Sequence, residues 1–467
     1  MNTTRRGFLG AAAAAVAPAQ VTGGKLRAGA AVANITPLLG CFLAGSMTNH
    51  IGTEVHDELH VRAMALDNGR ARIAIAQVDS CVIPREIFDR AKEAIRLHTG
   101  MPPESVLLSA THTHSAPASA HLFQSLPDPK YTEWLSGRIA DCVRMAVARM
   151  QPARAGWAVG REESLVFNRR FFMKPGSIPA DPFGRTTDRV QMNPPVGSPN
   201  ILRPAGPTDP DVGILAIQTA DGRPIAVLGN YALHYVGGTG TGHISADYFA
   251  FWSAAMERLA GAPVVASLSN ACSGNINGVN FRGQPVRLPP YEQMRRYAET
   301  LAAESYRAWR TIEFQSDLEL GSAIEELEIG VRLPDEADLA AARKLLASVP
   351  PPYTDRNHIY ARETDFLAKT YPATVRTPVQ AMRIGSLGIA TLPGEAFVEL
   401  GLEVKAKSPF KATFPIELAN DYRGYIPTVE GHEVGGYETW RAKSSYLEKN
   451  AAPRLVKAAL GLLGKLA

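Results

Sequence analysis

Short apolar segments of strand length alternate along the chain with longer segments of helical periodicity. The apolar runs Arg72–Val78 and Ser105–Ala110 enclose Pro84–His98, where apolar residues recur at helical spacing. After residue 210 the alternation returns, with predicted strands at Val212–Gln218, Ile225–Leu228, Pro263–Leu268, Val379–Ile384 and Gly388–Thr391 and predicted helices at Ala246–Leu259, Pro290–Arg310, Glu395–Lys407 and Ala451–Leu466. This order of strands and helices predicts an α/β fold built in layers.

One long segment without periodicity interrupts this alternation of strands and helices. Residues 173–210 are rich in Pro, Gly, Asp and Asn and lack periodicity, which predicts a long loop of the kind that often carries function. The sequence shows no internal repeat and no clear linker. We therefore expect residues 28–467 to form one large α/β domain, a layered sandwich of β-sheets flanked by helices.

Composition excludes two broad classes of protein. The chain has 467 residues, of which 45% are hydrophobic and 20% charged, so bulk disorder is excluded. The formal net charge is only +4, which gives no reason to expect a nucleic-acid partner. We expect a soluble domain that acts on a small molecule.

The N-terminus has the pattern of an export signal. Arg5-Arg6 precede Phe8-Leu9 and an alanine run that ends in Ala17-Pro18-Ala19. This pattern predicts a Tat-type signal peptide at residues 1–19 and a periplasmic or secreted mature protein, with an uncleaved anchor or a disordered tail as the alternatives. No later segment approaches the length of an apolar membrane span, so no transmembrane span is expected in the mature chain.

The four cysteines give little chemistry of their own. The spacing of Cys41, Cys81, Cys142 and Cys272 matches no zinc knuckle and no Cys-x-x-Cys motif. An exported protein could pair them, and the sequence leaves their redox state open. Our prediction is four small buried hydrophobic side chains.

Two histidine motifs follow predicted strands. His112 and His114 stand two residues apart after Ser105–Ala110, and that spacing places both on one side of a pleated strand. His234 likewise follows an apolar strand. A histidine after a strand is often only hydrogen-bonded locally, so each motif alone is a weak indication of a metal site.

Oxygen donors occur in three further loops. Glu395 follows a Pro-Gly turn and would lie in the first turn of the predicted helix, where a glutamate usually interacts with the helix dipole. Tyr425 and Tyr437 stand in tyrosine-containing loops that could simply pack. The segment Asn270–Asn277 could offer backbone N–H groups to an oxyanion or could be a tight turn. Taken together, imidazoles, a carboxylate and tyrosines provide the N and O ligands that suit Zn²⁺ with one position open for water.

This ordered set resembles the neutral/alkaline non-lysosomal ceramidase family. The resemblance rests on Thr-His-Thr-His-Ser at 111–115, on His234 with the downstream Ile-Ser-x-Asp, on the Asn-Ala loop, on Pro-Gly-Glu and on two tyrosines twelve residues apart. It extends from about residue 28 to about residue 446 and is specific as a set. The resemblance implies zinc held by His112, His234, Glu395 and Tyr425, with His114, Arg169 and Tyr437 beside the metal as catalytic groups. It also implies hydrolysis of the amide that joins a fatty acyl chain to a sphingoid base.

The sequence departs from the family pattern at two points. Asn275 occupies the position of the family's serine, while Ser273 stands two residues earlier, so the role of that serine stays open. Characterised family members continue into a C-terminal immunoglobulin-like domain, and the resemblance here covers the catalytic domain only. The sequence also does not indicate whether Arg169 or Arg170 faces the site.

We therefore predict a zinc-dependent hydrolase in which a zinc-bound water attacks an N-acyl amide bond of a ceramide-like or other lipid-like or small-molecule substrate. One alternative is an exported zinc hydrolase of a non-lipid ester or sugar-linked substrate, which a polar pocket would favour. The other is a catalytically silent, metal-stabilised binding protein. The oligomeric state stays open.

Overall fold

Two β-sheets of unequal size form the middle of the molecule. The computed structural model describes residues 25–467, so the predicted signal peptide at residues 1–19 lies outside the described residues. The larger sheet has eight strands: β1 (Arg27–Asn34), β2 (His60–Asp67), β3 (Arg72–Val78), β4 (Val106–Ala110), β5 (Gln151–Arg161), β6 (Asp211–Thr219), β7 (Pro224–Tyr231) and β8 (Val265–Asn270). The smaller sheet has four: β9 (Leu320–Gly330), β10 (Thr374–Ile384), β11 (Leu387–Thr391) and β12 (Ala412–Ile416).

The two sheets are mainly antiparallel but carry parallel pairs at their edges. The large sheet has the order β8-β7-β6-β5-β1-β2-β3-β4, and its outermost pairs, β7–β8 and β3–β4, are parallel. The small sheet has the order β9-β10-β11-β12, and β11–β12 is parallel. Because parallel neighbours need a long crossover connection, each of these pairs is expected to enclose a helix.

Helices make these crossovers and cover the outer faces. The described helices are α1 (Arg85–Thr99), α2 (Pro129–Ala148), α3 (Asp247–Ala260), α4 (Glu292–Trp309), α5 (Glu336–Leu346), α6 (Arg356–Thr370), α7 (Val398–Lys407), α8 (Val429–Val434) and α9 (Ala451–Leu466). Helix α1 joins β3 to β4, α3 joins β7 to β8, and α7 joins β11 to β12. The fold therefore contains three βαβ units.

Side-chain alternation along the strands sorts the core into layers. On β3, Ala74 and Ala76 pack towards α1 and α2, whereas Ile73 and Ile75 pack towards the small sheet. The helices α3 and α4 cover the other half of the large sheet, and α7 and α9 cover the small one. The result is a helix–sheet–sheet–helix sandwich, which confirms the predicted fold class.

The structure corrects three local expectations. Within residues 173–210, the strands Val190–Met192 and Ile201–Pro204 pair with Arg170–Met173, so the predicted loop is partly a small sheet. The four cysteines are free thiols, and three of them are buried as predicted, but Cys41 is only partly buried. Helix α7 begins at Val398 rather than at Glu395. None of the described helices is long and apolar enough to cross a membrane.

Candidate metal centre

Three buried side chains from three different βαβ units meet at one point. His112 follows β4, His234 follows β7 and Glu395 follows β11. Their Nε2, Nε2 and Oε2 atoms lie 3.0 Å (His112 to His234), 3.3 Å (His112 to Glu395) and 3.6 Å (His234 to Glu395) apart. The three residues are 1%, 0% and 3% exposed. These are three of the four residues that the family resemblance implies as metal ligands. The connections of the three βαβ units bring them together.

Backbone carbonyl groups fix the orientation of the two imidazoles. Nδ1 of His112 lies 2.7 Å from the carbonyl oxygen of Cys81, and Nδ1 of His234 lies 3.2 Å from that of Ser273. Because a carbonyl oxygen only accepts, each Nδ1 carries the proton and each Nε2 presents a lone pair to the cluster. This is how metal-binding histidines are oriented in proteins.

The two histidines of the Thr-His-Thr-His motif converge through a turn and not through a strand pleat. Strand β4 ends at Ala110, and His112 has φ = 72°, in the left-handed region that non-glycine residues rarely adopt. The N–H of His112 is held by the carbonyl oxygen of Ser80 at 2.8 Å. The turn brings Nε2 of His114 to 3.2 Å from Nε2 of His112, closer than an extended strand allows.

Glu395 lies on a short strand and not in the first turn of a helix. Glu395–Ala396 pairs in parallel with Tyr425–Ile426, and the Glu395 N–H donates to the Gly424 carbonyl oxygen at 2.9 Å. The hydroxyl of Tyr422 donates to Oε1 at 2.9 Å, whereas Oε2 has no hydrogen-bond partner among the described residues. One carboxylate oxygen is thus oriented by protein and the other faces the imidazoles.

Tyr425 and Arg169 complete the cluster on the side of Glu395. Strand pairing places Tyr425 beside Glu395, and this tyrosine helps to keep the pKa of the Glu395 carboxyl low. Nη2 of Arg169 donates to the Tyr425 hydroxyl oxygen at 3.0 Å, and Nε donates to Glu438 at 3.0 Å. Arg170 points away, with its guanidinium over the Phe397 ring. Arg169 is therefore the arginine that faces the site.

His114 and Tyr437 lie beside the cluster. The His114 ring stacks on Tyr235, with centroids 3.6 Å apart. Gly45, at φ = 97°, packs against the other part of the imidazole, where a Cβ would overlap the ring. The Tyr437 ring lies edge-on to Tyr425 at 5.7 Å between centroids. All seven residues predicted from the sequence therefore lie in one group.

The charges in the cluster suit a divalent cation. Burial opposes a charge on His112, yet the carboxylate of Glu395 holds the pKa of this imidazole well above its ordinary value. Burial likewise opposes the Glu395 carboxylate, but His112 holds its pKa below the ordinary value. Burial and neighbouring positive charges hold the pKa values of His114 and His234 well below normal. Glu395 thus stabilises positive charge at the position of His112, beside two imidazoles that stay neutral, and the N and O donors fit Zn²⁺.

The Asn-Ala loop supports the cluster without facing it. The N–H groups of Ala271, Gly274 and Ile276 bond to the carbonyl oxygens of Tyr231, Ala396 and Ser273, so they are not free for an oxyanion. The Ser273 hydroxyl donates to Glu417 at 2.5 Å. Asn275 bonds to Glu399 through Nδ2 and accepts from the Val398 N–H, which fixes the start of α7. Neither residue presents a nucleophile.

Three residues of the site have no clear signal in the sequence. Tyr422 orients Glu395, and Tyr235 stacks on His114. Glu438 is fully buried and pairs with both Arg169 and Arg170, at 3.0 and 3.2 Å. Tyr422 and Glu438 each adjoin a motif that suggests function, but only the folded geometry shows their contacts.

Known structures share this architecture, although curated sequences do not match the chain. Neither a protein-family model nor a curated protein sequence matches the chain. Solved structures do match: among them, a ceramidase complexed with C2 aligns with a TM-score of 0.72 at 18% identity, over 95% of this chain and 75% of that chain. A neutral ceramidase from Pseudomonas aeruginosa aligns with a TM-score of 0.70 at 19% identity, over 94% and 75%.

The chain has the fold of the neutral ceramidases. This finding confirms, at the level of fold, the family resemblance that the motifs indicate. The alignments cover 95% and 94% of this chain. At this level of identity the ceramidase fold is established, while the reaction has to be argued from the residues of this chain.

Proposed function

We propose that the protein is a zinc-dependent hydrolase that cleaves an N-acyl amide bond. The observation that carries the proposal is the buried convergence of His112, His234 and Glu395 beside Tyr425, each of the three after a strand of a different βαβ unit in a ceramidase fold. These donors would hold the metal. Zinc bound there supplies Lewis acidity, which polarises a carbonyl group and lowers the pKa of water.

The remaining site residues have separate tasks in this reaction. His114, whose ring is locked by Tyr235, would accept a proton from the attacking water and then pass it to the leaving nitrogen. The Tyr437 hydroxyl would donate to the oxygen on which negative charge develops. Arg169 commits Nε to Glu438 and Nη2 to Tyr425, so its fixed positive charge stabilises negative charge around the Tyr425 oxygen.

An apolar cavity beside Tyr437 supports an acyl substrate. This cavity, the Trp440 slot, has a volume of about 230 Å³ and is lined by Met47, Ile178, Pro179, Val190, Gln191, Met192, Arg356, Tyr437 and Trp440. A polar pocket would favour a sugar-linked substrate instead, and this lining is mostly apolar. A larger cavity of about 810 Å³ lies between residues 36–42 and 126–134 and contains none of the seven site residues.

Metal analysis and turnover on one preparation test the proposal. We expect one zinc per chain, and release of free acid from N-acyl amides that stops on chelation and returns with added zinc. The substrate panel should include a short-chain ceramide, a simple N-acyl amide, an N-acyl sugar and a matched ester. Stoichiometric zinc without cleavage of any substrate would favour a binding protein. Cleavage of the ester alone would favour a different hydrolase.

We also propose that the protein is exported through the Tat route. The support is the Arg5-Arg6 pair followed by Phe8-Leu9 and the Ala17-Pro18-Ala19 exit. Replacing both arginines by lysine should retain the precursor in the cytoplasm. Export that continues unchanged in this variant would contradict the Tat assignment.

A further inference from the structure

The Trp440 slot contains one cation that has no counter-ion. The Arg356 guanidinium lies 5.2 Å from the centroid of the Trp440 ring and donates from Nη2 to the Ala180 carbonyl oxygen at 2.8 Å. Among residues 25–467, no carboxylate forms an ion pair with it. Arginines beside an apolar surface are usually paired or fully solvated. Arg356 is neither, because it is only partly exposed and forms part of the slot lining.

The acidic groups close to the slot are already engaged. The Asp188 carboxylate accepts from Nε1 of Trp440 at 2.8 Å. Asp181 accepts from the N–H groups of Phe183 and Arg185 at 2.9 and 2.8 Å. Asp355, the residue before Arg356, caps α6 and pairs with His358. None of them neutralises Arg356.

The region on the other side of Trp440 is also positively charged. Arg332 donates only to uncharged oxygens of Leu447, Thr439 and Ser445. Burial, together with the charges of Arg332, Lys449 and Arg170, lowers the pKa of His432 to about 3. A carboxylate that binds beside Trp440 would therefore meet the positive charges of Arg356 and Arg332 as well as the Asp188 carboxylate on the indole N–H.

Arg356 lies within reach of a ligand that reacts at the metal centre. The Tyr437 and Trp440 rings have centroids 5.9 Å apart, and the guanidinium lies 5.2 Å beyond Trp440. The guanidinium is therefore no more than about 11 Å from the Tyr437 ring. The Tyr425, Tyr437 and Trp440 rings follow one another at 5.7 and 5.9 Å between centroids, so an acyl chain that starts at the cluster and follows these rings leads towards Arg356.

We propose that Arg356 binds a carboxylate at the far end of the acyl chain, so that the preferred substrate is an N-acyl amide of a short dicarboxylic acid. This inference rests on the proposed amide hydrolysis and adds a specificity-determining residue to it. The apolar lining accommodates the methylene groups. A guanidinium with unused donors binds a carboxylate through short, charge-assisted hydrogen bonds.

Binding of two matched amides separates this inference from catalysis. Hexanamide and the monoamide of adipic acid have chains of the same length and differ in the terminal carboxylate. Calorimetric titration of the zinc-loaded wild-type protein should show tighter binding of the monoamide. In Arg356→Met its affinity should fall about 10- to 100-fold, while hexanamide binding stays unchanged. Arg356→Lys should retain part of the preference.

A second arginine supplies the control. Arg185 is half exposed and, like Arg356, lies over an aromatic ring, with its guanidinium 5.3 Å from the Phe183 centroid, but it does not line the slot. Arg185→Met should leave both affinities unchanged. Equal weakening of both amides in Arg356→Met, or a wild-type protein that does not distinguish them, would overturn the inference. Because the readout is binding, absence of turnover would count against the proposed function and not against this site.

In an active protein, steady-state kinetics show whether Arg356 affects substrate binding or the rate of the reaction. For para-nitroanilides of the two acids, Arg356→Met should raise KM for the carboxylated substrate and keep kcat, because the lost contact is remote from the reacting atoms. An equal fall of kcat on both substrates would show that Arg356 only supports the fold around Trp440. Melting temperatures measured on the same preparations separate a loss of folded protein from a change in specificity.

Discussion

The loops after β4 and β8 hold corresponding places at opposite edges of the large sheet, yet they do different things. Each follows a parallel edge strand and contains small polar residues. After β4, residues 111–115 direct Nε2 of His112 and of His114 into the cluster. After β8, residues 271–277 use Ser273, Asn275 and the N–H groups of Ala271 and Gly274 in bonds to neighbouring segments.

The comparison shows that position at the end of a parallel strand is not sufficient for chemistry. What distinguishes the first loop is polar atoms whose geometry is fixed but whose lone pairs remain unused, such as Nε2 of His112. In the second loop, the polar atoms form hydrogen bonds that hold adjacent segments in place. One of them is the carbonyl oxygen of Ser273, which orients His234. The loop of residues 111–115, which directs histidines into the cluster, thus depends on the loop of residues 271–277, which we call the supporting loop.

The largest effect should come from the histidines that meet Glu395. His112→Ala and His234→Ala should each lose nearly all bound zinc and all turnover, because each variant removes one of the few donors in a buried site. His98→Ala, an exposed histidine on α1, is the matched control and should keep both. Metal analysis by mass spectrometry checks this. Stoichiometric zinc in both variants would place the ligands elsewhere.

Loss of the residues beside the ligands should stop the reaction but spare the metal. We expect His114→Ala to lower kcat by about 10²–10⁴, as for loss of a general acid. Tyr437→Phe should lower it by about 10²–10³, as for loss of an oxyanion donor. Tyr446→Phe, which changes a buried tyrosine outside the cluster, is the control. Full kcat at wild-type zinc content would remove the affected residue from the mechanism.

The supporting loop should influence the pH dependence of the free energy of unfolding, because Ser273 of this loop bonds to the buried carboxyl of Glu417. Burial raises the pKa of Glu417 to about 8, and the Ser273 hydrogen bond opposes that shift only in part. A carboxyl group with a raised pKa favours the folded state below its unfolded pKa and loses that contribution as pH rises through the folded value. The free energy of unfolding should therefore decline by about 1.4 kcal/mol per pH unit between about pH 4.5 and about pH 8.

Glu417→Gln removes this titration and tests the assignment. Denaturant unfolding across the same pH range should show a flatter profile for the variant, with wild type and variant most different near about pH 8. Parallel profiles for the two proteins would mean that Glu417 is ionised in the folded state. Turnover per folded molecule should not depend on this substitution.

The sequence allows the fold class and the identity of the cluster to be predicted, because both leave periodic or ordered signals. Strand-length apolar runs around a helical segment define β3-α1-β4, and His112, His234 and Glu395 follow the ends of such strands. The local backbone geometry of the site is harder to predict from the sequence than the fold class. The left-handed φ of His112 and the strand pairing of Glu395 depend on contacts with Ser80 and Gly424, which are distant in sequence.

Residues that act through another residue could not be predicted at all. Glu438 is an ordinary acidic residue in the sequence, and its importance comes from two arginines nearly 270 positions away. Arg356 begins a helix and has no motif, and it becomes notable only because the fold places it beside Trp440 without a carboxylate. Such roles arise from three-dimensional pairing, which has no local pattern to detect.

The smallest effect is expected at Ser273, although its loop aligns with a serine position in the ceramidase family. Its Oγ donates to Glu417 and does not face the cluster, so Ser273→Ala should keep turnover of the folded protein within the same order of magnitude. It should lower stability by about 1–3 kcal/mol, because the buried Glu417 carboxyl loses a hydrogen-bond partner. Ser269→Ala, which removes a buried hydroxyl bonded to the Gly229 carbonyl on β7, gives the matched stability control. A serine nucleophile would instead show a fall in kcat of several orders of magnitude with zinc and stability retained. That outcome would give the β8 loop a direct role in the reaction and end the distinction between the two loops.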